Sequence, residues 1–254
     1  MPLYSHSQLS IYEECPLKYK LRYRDKIKRD IEGIEAFLGT MVHAALKKCY
    51  DDIRHAKLNT LDELLTYYDK VWTKTWHDSI LITKPELTAE YYKALGKQLI
   101  QTYYDRYAPF SSDITIGTEM RITFSLDDNG MYKLTGLIDR LARTEDDICE
   151  IHDYKTSAHL PSQENIDQNR QLALYQIGIQ QRWPDIMCIK LVWHYLAFDK
   201  ELVSSRSDEA ISKLVDDTIR VIDEIQSAED FPPRESRMCA WCEYLDLCPL
   251  RKHF

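Results

Sequence analysis

Residues 134–157 read LTGLIDRLARTEDDICEIHDYKTS, and the reading of this stretch decides the fold. Side chains alternate in character on both sides of the acidic turn RTEDD, so the stretch predicts two strands of one hairpin. In the first strand Asp139 is in phase with Leu137 and Leu141. In the second, Asp153 and Lys155 share a face with Ile151. A carboxylate on an apolar sheet face costs several kcal/mol, roughly 2–7 for an unpaired polar group and more for a charge. A turn centred near Asp146 brings Asp139 about opposite Asp153. Two facing carboxylates repel unless a cation sits between them, and hard oxygen ligands favour Mg2+ or Mn2+. A lysine two residues on, pointing the same way, can hold an attacking water or neutralise charge developing on a phosphate. These are the parts of a metal-dependent phosphodiester-cleaving site. A plainer alternative pairs Asp153 with Lys155 on a solvated face, and Asp139 with Arg140 or Arg121.

Outward from this hairpin, the chain of 254 residues suits one large domain or a core with a helical insertion. No run of 18 apolar residues exists, so no membrane span is expected. The start, MPLYSHSQLS, lacks the apolar region of a signal peptide. A cytoplasmic location follows as the expectation. Seven cysteines in such a chain argue for metal ligands or buried thiols rather than disulfides. The net charge of −8 is unfavourable for a partner of nucleic acid, yet residues 15–29 hold seven Lys or Arg against the single acid Asp25. Lys18, Lys20, Arg22 and Arg24 alternate there with Tyr19 and Tyr23. Cations that track phosphates and rings that stack on bases are what a single-strand groove requires. An exposed basic face is the alternative. The alternation suits a strand, but Pro16 at a first helical position favours a helix.

Ser5-x-x-Gln8 is a capping box opening a helix that ends near Cys15-Pro16. Glu35 to about His55 is helical, with His43 beside its apolar stripe and Gly39 one turn earlier. Thr60-x-x-Glu63 caps a helix to about Asp78, and Pro85 opens another that ends near Tyr107. Their many aromatic residues are expected to be mostly core. Thr115–Leu126 predicts a strand with an Asn-Gly-type turn after it. After the hairpin comes a helix over 163–183, on which Gln171 and Tyr175 share a face. A strand over 188–198, a shorter one near Leu202 and an amphipathic helix over 207–228 complete the pattern. The tail holds Cys239, Cys242 and Cys248 as C-x2-C-x5-C. That is three ligands in need of a fourth, and Cys15 is the natural candidate because Cys15-Pro16 echoes Cys248-Pro249. Zinc and an iron–sulfur cluster both fit four cysteines. Cys49, Cys149 and Cys188 are expected as core thiols.

Gly136-Leu137-Ile138-Asp139-Arg140 followed by Asp153-Tyr154-Lys155-Thr156 resembles the core of the PD-(D/E)XK nucleases, and in particular their RecB-like branch. The resemblance extends, in family order, over Cys15, His43, Gln171 with Tyr175, and the C-terminal cysteines. It implies an α/β fold: a mixed central sheet flanked by helices (a restriction-endonuclease-like core), an N-terminal helical subdomain, and an iron–sulfur staple joining the termini. The implied segments are a basic N-terminal segment (1–34), a helical region with the His43 helix (35–110), the nuclease core (111–230) and the cysteine segment (231–254). It further implies Mg2+ or Mn2+ held by His43, Asp139, Asp153 and the carbonyl of Tyr154, with Lys155 positioning water and Gln171 and Tyr175 holding the scissile strand. Glu119 matches an acid common in that strand of the family. A [4Fe–4S] cluster on Cys15, Cys239, Cys242 and Cys248 is implied in the same way. The activity implied is DNA exonuclease, on single strands or ends, with repair or CRISPR adaptation proteins as partners. A catalytically weak DNA-binding scaffold is the alternative.

Overall fold

The structure, a computed structural model, describes residues 2–251. The chain divides into two compact units. The larger comprises residues 32–122 and 137–206, and the smaller comprises 1–31, 123–136 and 207 onward.

The larger unit is a mixed sheet with helices on both faces. Its strands are β4 (Asp113–Ser125), β5 (Lys133–Thr144), β6 (Cys149–Lys155), β7 (Ile189–Tyr195) and β8 (Lys200–Ser204), and the ends of β4 and β5 nearest their connecting turn belong to the smaller unit. β4 lies on β5, and the order continues β5-β6-β7-β8, with only β6 and β7 parallel among the last three pairings. Arg140 is opposite His152 in the β5–β6 hairpin. One step on, Asp139 is level with Asp153, as the sequence predicts. Pairing with β7 on the far side leaves β6 no free edge, and every residue of β6 except Glu150 and Lys155 is buried.

Helix α3 (Ile34–Arg54) packs with α4 (Leu61–Thr75) and α5 (Ala89–Tyr107) around a core that includes Phe37, Tyr68, Trp72 and Tyr103. Thr60 caps α4 through the expected box with Glu63. α5 starts at Ala89 instead of Pro85, because the Thr88 side chain accepts from the Tyr91 N–H and sets the first turn there. The predicted 163–183 helix is broken into α6 (Gln163–Asp167) and α7 (Arg170–Arg182), since Asn169 leaves the helical conformation to cap α7. The turn before β5 is wider than an Asn-Gly pair. The Leu126 N–H reaches the Tyr132 carbonyl, and the Asp127 carboxylate accepts from the Met131 and Tyr132 N–H groups.

In the smaller unit β1 (Leu3–Ser5) pairs in parallel with the start of β5, and Ser5 and Gln8 form the capping box of α1 (His6–Glu14). The basic stretch is helical, as α2 (Pro16–Tyr19) followed by a π-turn over Lys20–Arg24. α8 (Asp208–Ser227) packs on α1. Cys49 and Cys149 are buried, as expected, but Cys188 is exposed at the start of β7 and is not a core thiol. Among the described residues no helix is long and apolar enough to cross a membrane.

Candidate active site

Consecutive residues of β6 point to opposite faces, and the two faces carry different chemistry. Asp153 and Lys155 face α7. Gln171, on its first turn, donates from Nε2 to Asp153 Oδ1 (2.9 Å) and accepts from Lys155 Nζ at Oε1 (3.1 Å). Asn169 aims this turn by accepting the Gln171 N–H. One amide thus sets the carboxylate and the ammonium together, and Tyr175, one turn on, is buried beside the Gln171 amide. Lys155 Nζ is 2.6 Å from Asp153 Oδ2, yet that oxygen is buried and accepts no well-directed hydrogen bond. A carboxylate oxygen with coordination capacity left over fits a metal ligand.

Asp139 accepts the Tyr154 N–H at Oδ2 (2.8 Å), and the same oxygen is 3.5 Å from Nδ1 of His43. His43 Nε2 is 2.8 Å from the Tyr154 carbonyl. α3 can deliver His43 here because it comes close to the end of β6: a Cβ on Gly39 would lie 3.3 Å from the Thr156 hydroxyl. Ligand atoms of His43, Glu119 and Asp139 lie within 4.8 Å of one another. Burial and the neighbouring Asp153 push the Asp139 carboxyl up to about 7. Burial does most of this, and the like charge of Asp153 adds to it. An imidazole nitrogen, carboxylates and a carbonyl oxygen together suit Mn2+ or Mg2+.

Glu119 enters this group through its backbone. It has φ of +45°, a left-handed value inside a strand, which costs a non-glycine residue of the order of 1–2 kcal/mol. The alternation of β4 gives no signal of this, so only the family resemblance points to Glu119. The pairing of Asp139 with Arg140 does not occur. Arg140 is on the other face and bonds Asp113 (2.5 Å) and His152 (2.9 Å to Nε2). There Asp113, Glu150 and His152 form a second group with metal-ligand spacing, but Arg140 already supplies its cation.

That opposite face carries a hydrogen-bond chain. Arg140 lies 2.9 Å from His152 Nε2 and 3.3 Å from its Nδ1, His152 Nδ1 is 2.9 Å from His194 Nε2, and His194 Nδ1 is 3.1 Å from the Tyr107 hydroxyl, which donates to Glu201 (2.9 Å). Burial, with Arg140 nearby, holds both imidazoles well below their usual range, and both are neutral.

In the smaller unit Cys15, Cys239, Cys242 and Cys248 are all free and half-buried. The Arg234 N–H points at Cys15 Sγ (3.4 Å) and the Ser236 N–H at Cys239 Sγ (3.3 Å). Burial foremost, with the neighbouring Glu243 carboxylate adding to it, raises the Cys242 thiol. Of the basic stretch, Lys18 and Arg22 lie 3.6 Å from Glu243, and Lys20 bonds Asp25. Arg24 stacks over Phe231. Tyr19 is a correction: it is buried against Tyr12 and Phe231, so its ring is not free to stack on a base. Tyr23 remains half-exposed beside it.

The family model of the PD-(D/E)XK nuclease superfamily matches residues 4–249. The chain belongs to the PD-(D/E)XK nuclease superfamily. In this PD-(D/E)XK nuclease Asp153-Tyr154-Lys155, on β6, has the acid–x–lysine spacing in the family's name. A curated relative, one subunit of the ATP-dependent helicase/deoxyribonuclease of Carboxydothermus hydrogenoformans, is 30% identical in an alignment 174 residues long that covers 61% of this chain and 16% of that protein's length. The crystal structure of a candidate exonuclease from Eubacterium rectale superposes with a TM-score of 0.53 at 13% identity, over 95% of this chain and 87% of that one. It shares the fold. A second crystal structure, of SSO0001, gives a TM-score of 0.37 at 16% identity, over 92% of this chain and 94% of that one.

Proposed function

We propose that this nuclease is a metal-dependent DNA exonuclease of the RecB-like branch. It acts on single strands or DNA ends, in repair and recombination or in CRISPR spacer acquisition, alongside other proteins of those pathways. The observation that carries the reading is the double clamp of Gln171 on Asp153 and Lys155, opposite Asp139 and His43. DNA as the substrate is supported by the helicase/deoxyribonuclease component that the chain resembles over part of its length.

His43, Asp139, Asp153 and the Tyr154 carbonyl, with Glu119 beside them, would hold Mg2+ or Mn2+, which when bound supplies Lewis acidity and an activated water. The remaining work belongs to side chains. Lys155 Nζ stabilises negative charge that develops on the phosphoryl oxygens. Gln171 holds the Lys155–Asp153 ion pair in place, bonding the ammonium at its amide oxygen and the carboxylate at its amide nitrogen. Tyr175 supports Gln171 from within the core. In the smaller unit, Lys18, Lys20, Arg22, Arg24 and Tyr23 would track the strand, and Cys15, Cys239, Cys242 and Cys248 would bind one [4Fe–4S] cluster. The backbone N–H groups aimed at Cys15 and Cys239 sulfurs are the kind of donors that stabilise cluster thiolates.

The test is cleavage of end-labelled single-stranded DNA with Mn2+ or Mg2+, wild type against Asp153→Ala and Lys155→Ala. Loss of about a hundredfold or more in each variant, with DNA binding kept, is expected. Near-normal cleavage by either variant removes the assignment. Strand binding by the wild type with no cleavage in either metal would favour the scaffold reading.

A further inference from the structure

Beside the metal-site end of β6 lies a cleft of about 430 Å³, built from α3, the segment leading into α5, α5 itself and residues 154–158. Its size is that of sites that enclose a small molecule, roughly 300–1,000 Å³. Leu38, Leu87 and Leu95 give it apolar walls. Lys155 and the exposed Lys84 both line it. The aromatic residues of this region divide sharply. Tyr68, Trp72, Tyr92 and Tyr103 are buried, whereas Tyr91 is 49% exposed and lines the cleft. Tyr92 beside it, edge-on at 5.4 Å, is anchored through its hydroxyl to Glu35. That bond also engages the acid of the cleft.

We propose that this cleft takes one unpaired nucleotide next to the scissile phosphate, its base stacked on Tyr91 and a flanking phosphate near Lys84. The proposal rests on the nuclease reading for the identity of the ligand. A base inside a duplex has both faces covered, so only an unpaired base can offer one to Tyr91. Apolar walls, an exposed tyrosine and the exposed Lys84 match a nucleoside with a flanking phosphate. The shared residue Lys155 places that nucleotide adjacent to the bond to be cut. The helical region thus supplies a single-strand requirement that the acid–lysine core does not.

The experiment uses the full chain and a set of single-stranded oligonucleotides, each with one abasic site at a different position. Affinity is read by 2-aminopurine fluorescence with the Asp153→Asn protein, and cleavage with the wild type and Mn2+. Base–aromatic stacking energies correspond to a penalty of roughly 5- to 150-fold, expected at one position beside the cleaved bond. Tyr91→Phe should leave that penalty in place. Tyr91→Leu should weaken the intact strand by the same factor and abolish the difference between intact and abasic strands. If Tyr91→Leu keeps the abasic penalty, or no position shows one, the proposal fails. Cleavage without any position-dependent penalty keeps the nuclease and removes the cleft. Position-dependent binding lost in Tyr91→Leu, with no cleavage in any metal, keeps the cleft and removes the nuclease. A chain that neither binds nor cleaves removes both.

Discussion

Gln171 is the residue on which the polar chemistry of β6 turns, since its amide oxygen and nitrogen each hold a different partner. Gln171→Ala is expected to lower kcat about 10- to 100-fold with little change in KM, because Lys155 and Asp153 lose their orientation and not their charge. Gln171→Glu should be worse, as it sets a second carboxylate against Asp153. Single-turnover cleavage with saturating enzyme checks both. His152 and His194 make a separate prediction about pH. Both are neutral in the folded chain, whereas in the unfolded chain each takes a proton near 6.5. As pH falls below that value the unfolded state binds protons that the folded state refuses, so stability drops, by up to about 1.4 kcal/mol per pH unit for each histidine. Asp139, pushed up to about 7, has the opposite sign: between that value and the ordinary carboxylate range the folded state holds the extra proton. Urea denaturation from pH 7 to 5 in EDTA should therefore show His194→Gln with a shallower decline than wild type, by about one proton. Identical slopes would mean that the chain from Arg140 to Glu201 does not hold the imidazoles neutral.

At the level of elements, α4 and α5 are locked at Gly96, where a Cβ would come within 2.0 Å of the Tyr68 hydroxyl and 2.9 Å of Leu38 Cδ1. The Tyr68 ring is stiff and fully buried, so it cannot yield cheaply. Gly96→Ala should cost about 1–3 kcal/mol despite the better helix propensity of alanine. Adding Tyr68→Phe should recover only part, since the ring carbon bearing the hydroxyl is itself 2.6 Å away. Thermal denaturation of the two variants reads this directly. Elements whose signals are local were the legible ones. The β5–β6 register followed from period-2 alternation around the RTEDD turn, and the capping boxes at Ser5 and Thr60 marked helix starts to the residue. Two departures were local competitions between cap signals: Thr88 outcompeted Pro85 as a start signal, and Asn169 cut a helix whose periodicity ran on. Others depended on distant partners or on the backbone itself. Arg140 found Asp113, 27 residues away, in place of its neighbour in sequence. Glu119 was invisible to alternation because its own backbone departs from the strand.

Across the whole molecule, the smaller unit gathers three separate stretches, and its first and last meet through packing and hydrogen bonds. The Leu17 N–H reaches the Pro232 carbonyl, Tyr19 stacks on Phe231, and the Tyr244 hydroxyl bonds the Ile27 carbonyl. Ligation of Cys15 with the three tail cysteines would close a loop of more than two hundred residues. A cross-link on that scale is worth roughly 4–5 kcal/mol in the polymer estimate. Cys15→Ser is accordingly expected to lose iron and brown colour and to melt lower, with the metal residues of β5 and β6 unaltered in sequence. Iron analysis of anaerobically purified protein and a melting curve check it, and a colourless wild type with bound zinc would replace the cluster with a zinc site. The left-handed backbone at Glu119 bears on the stability of the molecule in another way. Glycine accepts that conformation freely, so Glu119→Gly should raise stability by about 1 kcal/mol while removing an acid from the metal group. On the proposed metal site, selection for heat tolerance alone would favour that change, whereas selection for turnover would hold the strained acid in place. At this one position the two fitness criteria pull a lineage in opposite directions.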